Sequence, residues 1–248
     1  MRLTRLLMGM PITVDIVEAR DVTVLDAVFA YFEDVDRRFS TYKPTSEIEA
    51  INRGEIGPAH YSDAMQEVLA IAERTREETD GYFDIRSEGG RLDPSGIVKG
   101  WAIRNAAGIV AASGAKDYFI DAGGDIQSSG RNPSGEEWSV GIRNPFAEDE
   151  IVKVVYPRGR GIATSGTYVR GQHIRNPRHP DRAVDDIVSL TVLGSDVLEA
   201  DRFATAAFAM GKPGIYFLEE KPGLEGYVVD VNGRATMTSG FAACCQPC

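Results

Sequence analysis

The chain has 248 residues, 43% of them hydrophobic and 26% charged, with a formal net charge of −10. That length is sufficient to bury a core in one large domain or two closely joined ones. The acidic balance argues against a general nucleic-acid binder, which needs a basic face to neutralise phosphates.

The opening run, Met1 to Val17, carries two Arg and a short apolar stretch broken by Gly9 and Pro11. It reads as neither a signal peptide nor a membrane span, so a cytoplasmic location is expected. Ile12–Val17 alternates as a strand. Asp21 is placed to cap a helix reaching Arg38, with Val24, Leu25, Val28, Phe29, Phe32 and Val35 on one face. Phe39 to Asn52 (FSTYKPTSEIEAIN) is a polar loop with a proline break, followed by a short helix from Ser46. A second helix spans Asp63–Arg76, with Asp63 and Gln66 spaced as a capping box. Gly81-Tyr82-Phe83-Asp84 then turns into an extended piece.

Leu92 to Gly130 is the densest stretch. Asp93-Pro94-Ser95-Gly96 forms a turn, and a helix from Ile97 to Ala112 follows with Lys99 in its first turn. A strand at Tyr118–Ile120 then ends in Ala122-Gly123-Gly124-Asp125. A helix N-terminus facing a glycine turn can hold an anion, because free N–H groups and the helix dipole both favour negative charge. Further strands are expected near Trp138–Ile142, Ile151–Tyr156, Gly161–Ser165 and Ser189–Leu193. A helix with an Asp196–Glu199 box runs to Gly211, ahead of Pro213. A last helix at Ile215–Glu220 and strands at Gly226–Val231 and Arg234–Thr238 complete the pattern. The helices and strands lack a regular βα beat, which points to α+β in a single unit over residues 1–240. Residues 241–248, which hold all three Cys, are expected to form a loose tail.

Several polar residues admit two readings. Asp201 and Thr205 share a helix face, and their oxygens suit a hard cation such as magnesium. The same pair could be a buried acid and a Thr bonded to its own helix. Lys99 is either solvated or set against a bound anion. Asp93 and Asp125 either shape turns or touch a ligand. His60 and His179 lie in polar loops, while His173 follows the Ala163–Gly166 turn and has the pKa range of a general base. No GxGxxG fingerprint, Walker loop or Ser-His-Asp order is present.

Taken in order, MGMPITVDI, FSTYKPTSEIEAIN, GYFDI, LDPSGIVKGWAIRNAA, AGGDIQSSG, WSVGIRNP, IATSGTY and EADRFATAAFAMG resemble the ApbE family of FAD:protein FMN transferases. The resemblance implies an ApbE-like, T-fold-related architecture. It also implies an enzyme that binds FAD and Mg2+ and moves FMN to a Thr or Ser hydroxyl of a target protein, releasing AMP. Gly96 (through its carbonyl), Asp201 and Thr205 would be metal ligands. Met8, Tyr42, Tyr82, Phe83, Asp84, Asp93, Lys99 and Arg175 would contact FAD, and His173 would help deprotonate the acceptor. The same pocket could instead serve an FAD pyrophosphatase or a non-catalytic FAD-binding protein. Three departures stand out: Asn176 where family members usually carry Asp before Pro, Arg202 beside the proposed metal ligand, and Ala204 where some members carry a second acid. Ser113-Gly114-Ala115-Lys116 is not a match to the family's Ser/Thr-Gly-Ala-Ser/Thr acceptor motif, so the acceptor is expected to be another protein.

Overall fold

A computed structural model describes residues 1–17, 22–87, 89–167 and 174–247. Eight strands form one antiparallel sheet: β1 (Arg2–Leu7), β2 (Met10–Ile16), β3 (Tyr118–Ala122), β4 (Asp125–Ser129), β7 (Gly161–Gly166), β8 (Ile187–Gly194), β9 (Glu225–Asp230) and β10 (Ala235–Met237), in that spatial order. The chain leaves the sheet between β4 and β7 to make a hairpin of β5 (Val140–Asn144) and β6 (Ala147–Val155). This is the α+β arrangement that the sequence pattern implies.

Among the described residues, six α-helices accompany the sheet: α1 (Thr23–Phe39), α2 (Glu47–Asn52), α3 (Asp63–Glu78), α4 (Ser95–Ala112), α5 (Val197–Ala209) and α6 (Gly214–Glu219). The first half of the chain makes one core, in which Phe29, Phe32, Ile97, Ile103 and Ile120 are fully buried between α1, α4 and the sheet. A second core lies between α5, α6 and β7–β9. The third covers the opposite face of the sheet, where Ile126, Ile162 and Val229 meet Val140 and Val155 of the hairpin.

Local capping explains several boundaries. Ser46 caps α2 by accepting from Glu49 N, and Asp196 caps α5 by accepting from Glu199 N at 3.0 Å. The cap of α3 is Ser62, which accepts from Met65 N at 3.2 Å. Asp63 is therefore the first helical residue rather than the cap. The cap expected at Asp21 lies outside the described residues, and α1 follows Val22 without a side-chain cap.

Two strands have no counterpart in the sequence reading. β1 (RLTRLL) is a largely exposed edge strand and carries little apolar alternation. β4 (DIQSS) turns polar residues toward the helices, so its buried face does not look like one. Gly123 and Gly124, both at positive φ, make the two-residue connection between β3 and β4. The end of the chain also differs from the expected loose tail. Phe241–Cys245 forms a 3-10 turn, with Phe241 fully buried and stacked on Tyr227 at 5.4 Å. An aromatic ring of this size supplies enough apolar burial to hold a short terminal turn in place.

α4 and α5 run antiparallel against each other at very close range. A Cβ added at Gly100 would sit 2.8 Å from Asp201 Cβ and 2.9 Å from the Val197 carbonyl oxygen. Gly100→Ala is therefore expected to cost about 1–3 kcal/mol through overpacking. Urea unfolding should register that loss as a lowered midpoint at unchanged slope.

Candidate active site at one end of the sheet

Strand register gathers several segments at one end of the sheet. The β1–β2 turn at Met8-Gly9 lies beside the Gly123-Gly124 turn: Gly123 N–H donates to the Pro11 carbonyl at 3.2 Å, and Met10 packs over Gly123. β7 pairs with β4 through Ile126↔Ile162, which brings the C-terminal end of β7 to this edge. Thr164 N–H then donates to Asp125 Oδ1 at 3.1 Å. The N-terminal turn of α4 and the C-terminal half of α5 reach the same end. A Cβ on Gly96 would meet Thr205 Cγ2 at 3.4 Å.

The centre of this region is a cluster of three charges. Lys99 Nζ is 2.6 Å from Asp125 Oδ2 and 3.7 Å from Asp201 Oδ1. Asp201 Oδ2 accepts from Gly100 N–H at 2.8 Å. Both acids are deeply buried, Asp125 at 1% and Asp201 at 4% exposure. One ammonium faces two carboxylates, so the cluster carries a net negative charge when fully ionised. Burial pushes the Asp201 carboxyl up to about 7; Lys99 pulls it down, while Asp125 adds to the rise.

The sign of the linkage follows. The folded state holds the Asp201 proton more tightly than the unfolded chain, whose carboxyl titrates near 3.8. Its contribution to stability is present below that value and is lost as pH rises toward 7. In chelator-containing buffer, wild type should therefore lose melting temperature relative to Asp201→Asn between about pH 4 and 7. Parallel melting curves across that range would contradict the shift.

The oxygen chemistry suits a hard divalent cation. Among the described residues, no group of three or more His, Cys, Asp or Glu is assembled that could hold a metal. A carboxylate, a hydroxyl and a carbonyl are a different kind of set, one that magnesium completes with waters and phosphate oxygens. Asp201, Thr205 and Gly96 occupy neighbouring positions on two packed helices, and the buried carboxylate is short of positive charge. The donors and the charge balance therefore fit a cation. The methyl of Thr205, rather than its hydroxyl, is the part nearest Gly96.

The other candidates fall into separate groups. Met8 is a half-buried turn residue at φ 52 on the site edge. Asp93 is exposed, and its Oδ1 accepts from Ser95 N–H at 3.0 Å, ordering the turn before α4. Asn52 of α2 clamps the preceding residue: its Oδ1 accepts from Leu92 N–H at 2.8 Å and its Nδ2 donates to Leu92 O at 3.0 Å. Phe83 is buried at 4% and packs its ring edge against Gly96, so it supports the α4 N-terminus rather than offering an open face. Tyr42 stands 94% exposed. Half-buried Tyr82 is covered by the Arg178 guanidinium at 5.2 Å from its ring centre. Asp84 accepts from Arg86 N–H at 2.8 Å, and Arg175 donates to the Arg86 carbonyl. Tyr82, Asp84 and Arg175 thus gather around the turn at residues 80–86. His173 lies outside the described residues.

Two of the departures have a clear physical account. Arg202 points away from Lys99 and Asp125. It bonds Glu78 of α3, pairs with Glu199 at 2.6 Å and lies over the Phe203 ring at 4.1 Å. Ala204 is fully buried in the core between α5 and the sheet, where an added carboxylate would need a partner. Asn176 caps a turn, accepting from the N–H groups of Arg178 and His179.

Sequence reasoning left Asp125 open and passed over Gln127. Both sit on the helix-facing side of β4, two residues apart. Gln127 Oε1 accepts from Val197 N–H at 2.9 Å and its Nε2 donates to Gly159 O at 2.9 Å, which fixes the start of α5 on the sheet. The available signal was two polar residues alternating on a strand that must be buried.

Comparison with known proteins agrees with this architecture. The sequence profile of the ApbE family matches residues 8–89 and 85–228. A FAD:protein FMN transferase of Vibrio cholerae is 32% identical over 130 residues, or 49% of this chain and 39% of that relative's length. The FAD:protein FMN transferase of Escherichia coli K12 is 28% identical over 264 residues, covering 82% of this chain and 75% of the relative. In shape, the chain is similar to the flavin transferase ApbE from Vibrio cholerae, with a TM-score of 0.85 at 22% identity over 98% of both chains. The ApbE protein of Thermotoga maritima gives a TM-score of 0.85 at 20% identity over 99% of both chains. The profile match extends over most of the sequence and across every element that builds the charged cluster, and on that basis the chain belongs to the ApbE family.

Proposed function

We propose that this protein transfers FMN from FAD to a Ser or Thr hydroxyl of a separate acceptor protein, with AMP as the second product. The observation that carries the proposal is the buried Lys99–Asp125–Asp201 cluster at the α4 N-terminus, in a chain whose relatives are named FAD:protein FMN transferases. Phosphoryl transfer asks the protein for positioning and charge neutralisation more than for covalent chemistry.

In this reading, Asp201, Thr205 and the Gly96 carbonyl would hold Mg2+, which when bound would supply Lewis-acid polarisation and charge neutralisation at phosphate oxygens. Lys99 adds a fixed positive charge one turn into α4, close to the helix end whose dipole favours phosphate. The turn at 80–86 and Arg175 offer contacts for the nucleotide ends, with Met8, Tyr42 and Asp93 at the rim. His173 is assigned the acceptor proton, since an imidazole titrates near the operating pH. The acceptor oxygen attacks the FMN-side phosphorus, the pyrophosphate bond breaks, and AMP leaves.

Incubation with FAD, Mg2+ and a protein carrying a Ser/Thr-Gly-Ala-Ser/Thr motif should yield acceptor-bound flavin and AMP in equal amounts. Chelation with EDTA should stop both, and excess Mg2+ should restore them. Free FMN forming at the same rate without acceptor would replace transfer by hydrolysis. FAD bound and intact after hours would identify a carrier instead.

A further inference from the structure

We propose that Asp125 is a positioning residue of this site, setting the Lys99 ammonium against Asp201 and tying α4 to the β4–β7 edge. The inference rests on the transfer reading above for its kinetic consequence, but its structural content is independent of it. Asp125 opens β4 directly after the Gly123-Gly124 turn, and its carboxylate is divided between two elements. Oδ1 takes the Thr164 N–H of β7, and Oδ2 lies 2.6 Å from Lys99 Nζ. Thr164 is itself held to β8 by a hydroxyl contact with Thr191 at 2.9 Å. The acid is therefore rigid on one side and charge-paired on the other.

Asp125 restrains a flexible side chain. A lysine has a long, flexible stem, and holding its ammonium in one place costs rotamer entropy. Lys99 is 19% exposed, so solvent alone would not fix it. Of Asp125 and Asp201, the latter is the more distant from Lys99, at 3.7 Å against 2.6 Å, so the stronger of the two ion pairs holding the ammonium is the one with Asp125. Burying Asp125 at 1% exposure is costly without a function for its charge. An asparagine would satisfy the Thr164 N–H equally well, so the backbone contact does not by itself require an acid.

The test uses Asp125→Asn, Asp125→Glu, Lys99→Met and the double variant Asp125→Asn/Lys99→Met in the full chain. Asp125→Asn keeps the acceptor for Thr164 N–H and removes the charge facing Lys99. It is expected to lower kcat for FMN transfer by about 10–100-fold, with KM for FAD moving much less. Adding Asp125→Asn to Lys99→Met should then change kcat by less than about twofold, because the two act as a unit. Asp125→Glu, which keeps the charge on a longer stem, should recover part of the loss.

A second readout does not require activity. Limited acetylation followed by peptide mass analysis should label Lys99 roughly threefold or more faster in Asp125→Asn than in wild type, once the charge-assisted contact is gone. Unchanged Lys99 labelling, or a fully additive double variant, would overturn the positioning role. Faster Lys99 labelling in Asp125→Asn than in wild type, together with a wild-type protein that shows no transferase activity, would uphold the positioning role and overturn the transfer reading. Matching circular dichroism and melting curves would separate either outcome from unfolding.

Discussion

Asp201→Ala is expected to cut FMN transfer by on the order of a thousandfold, equivalent to about 4 kcal/mol of transition-state stabilisation. Asp201 is the one carboxylate in the proposed magnesium set, and it lies on the face of α5 that meets α4 at Gly100. Without it the site retains a hydroxyl and a carbonyl, too little charge to hold a divalent cation against its own hydration. The fold should survive. Burial is the main cause of Asp201's raised pKa, so removing this acid relieves a desolvation cost. Isothermal titration with Mg2+ and turnover assays at saturating FAD would check both halves. Activity within tenfold of wild type in a well-folded variant would remove Asp201 from the metal set.

The second large effect falls on stability. Arg202→Ala should cost about 1–3 kcal/mol, because it removes the packing and hydrogen bonds of a buried guanidinium, while Glu78 and Glu199, 37% and 25% exposed, keep access to solvent. Arg202 is 4% exposed. Nε and Nη2 engage Glu199, while Nη1 reaches Glu78 and the Thr75 hydroxyl, the latter at 3.3 Å. These contacts connect α5 to α3. Urea unfolding should show the loss, whereas turnover at low temperature should stay near the wild-type value. A melting temperature within a degree or two of wild type would contradict a structural role for the Arg202 guanidinium. Combining Arg202→Met with Glu78→Gln and Glu199→Gln should recover much of the stability, because the apolar stem refills the buried arginine's space and no charge is left without its partner.

Much of the local structure around this site could be read from the chain, and the exceptions share a cause. The α5 helix was legible because Asp196 caps it and the Asp201–Thr205 spacing is helical. The same holds for the α4 turn, where Asp93, Gly96 and Lys99 stand close in sequence. β4 was not legible as a strand. Its helix-facing positions, Asp125 and Gln127, look solvent-facing on an alternation test, yet they are buried because they bind Lys99 and the first N–H of α5. Arg202 likewise looks like a surface residue until α3 supplies Glu78. Such pairings depend on tertiary neighbours distant in sequence, and no local pattern encodes them. Phe83 illustrates the reverse case: an aromatic in a polar turn suggests a ligand platform, but it packs beneath Gly96 instead. Phe241 anchors the terminal turn on Tyr227 for a similar reason, since a single buried ring outweighs a composition that otherwise suggests a loose end.

The charged end of this sheet is proposed to move FMN onto another protein. Intact-mass analysis of an acceptor carrying the Ser/Thr-Gly-Ala-Ser/Thr motif, after incubation with this protein, FAD and Mg2+, tests it most directly. The expected spectrum gains the mass of one FMN less one water on the acceptor, absent with EDTA and absent with Asp201→Ala. An acceptor of unchanged mass, with FAD bound or hydrolysed to free FMN and AMP, would contradict the account.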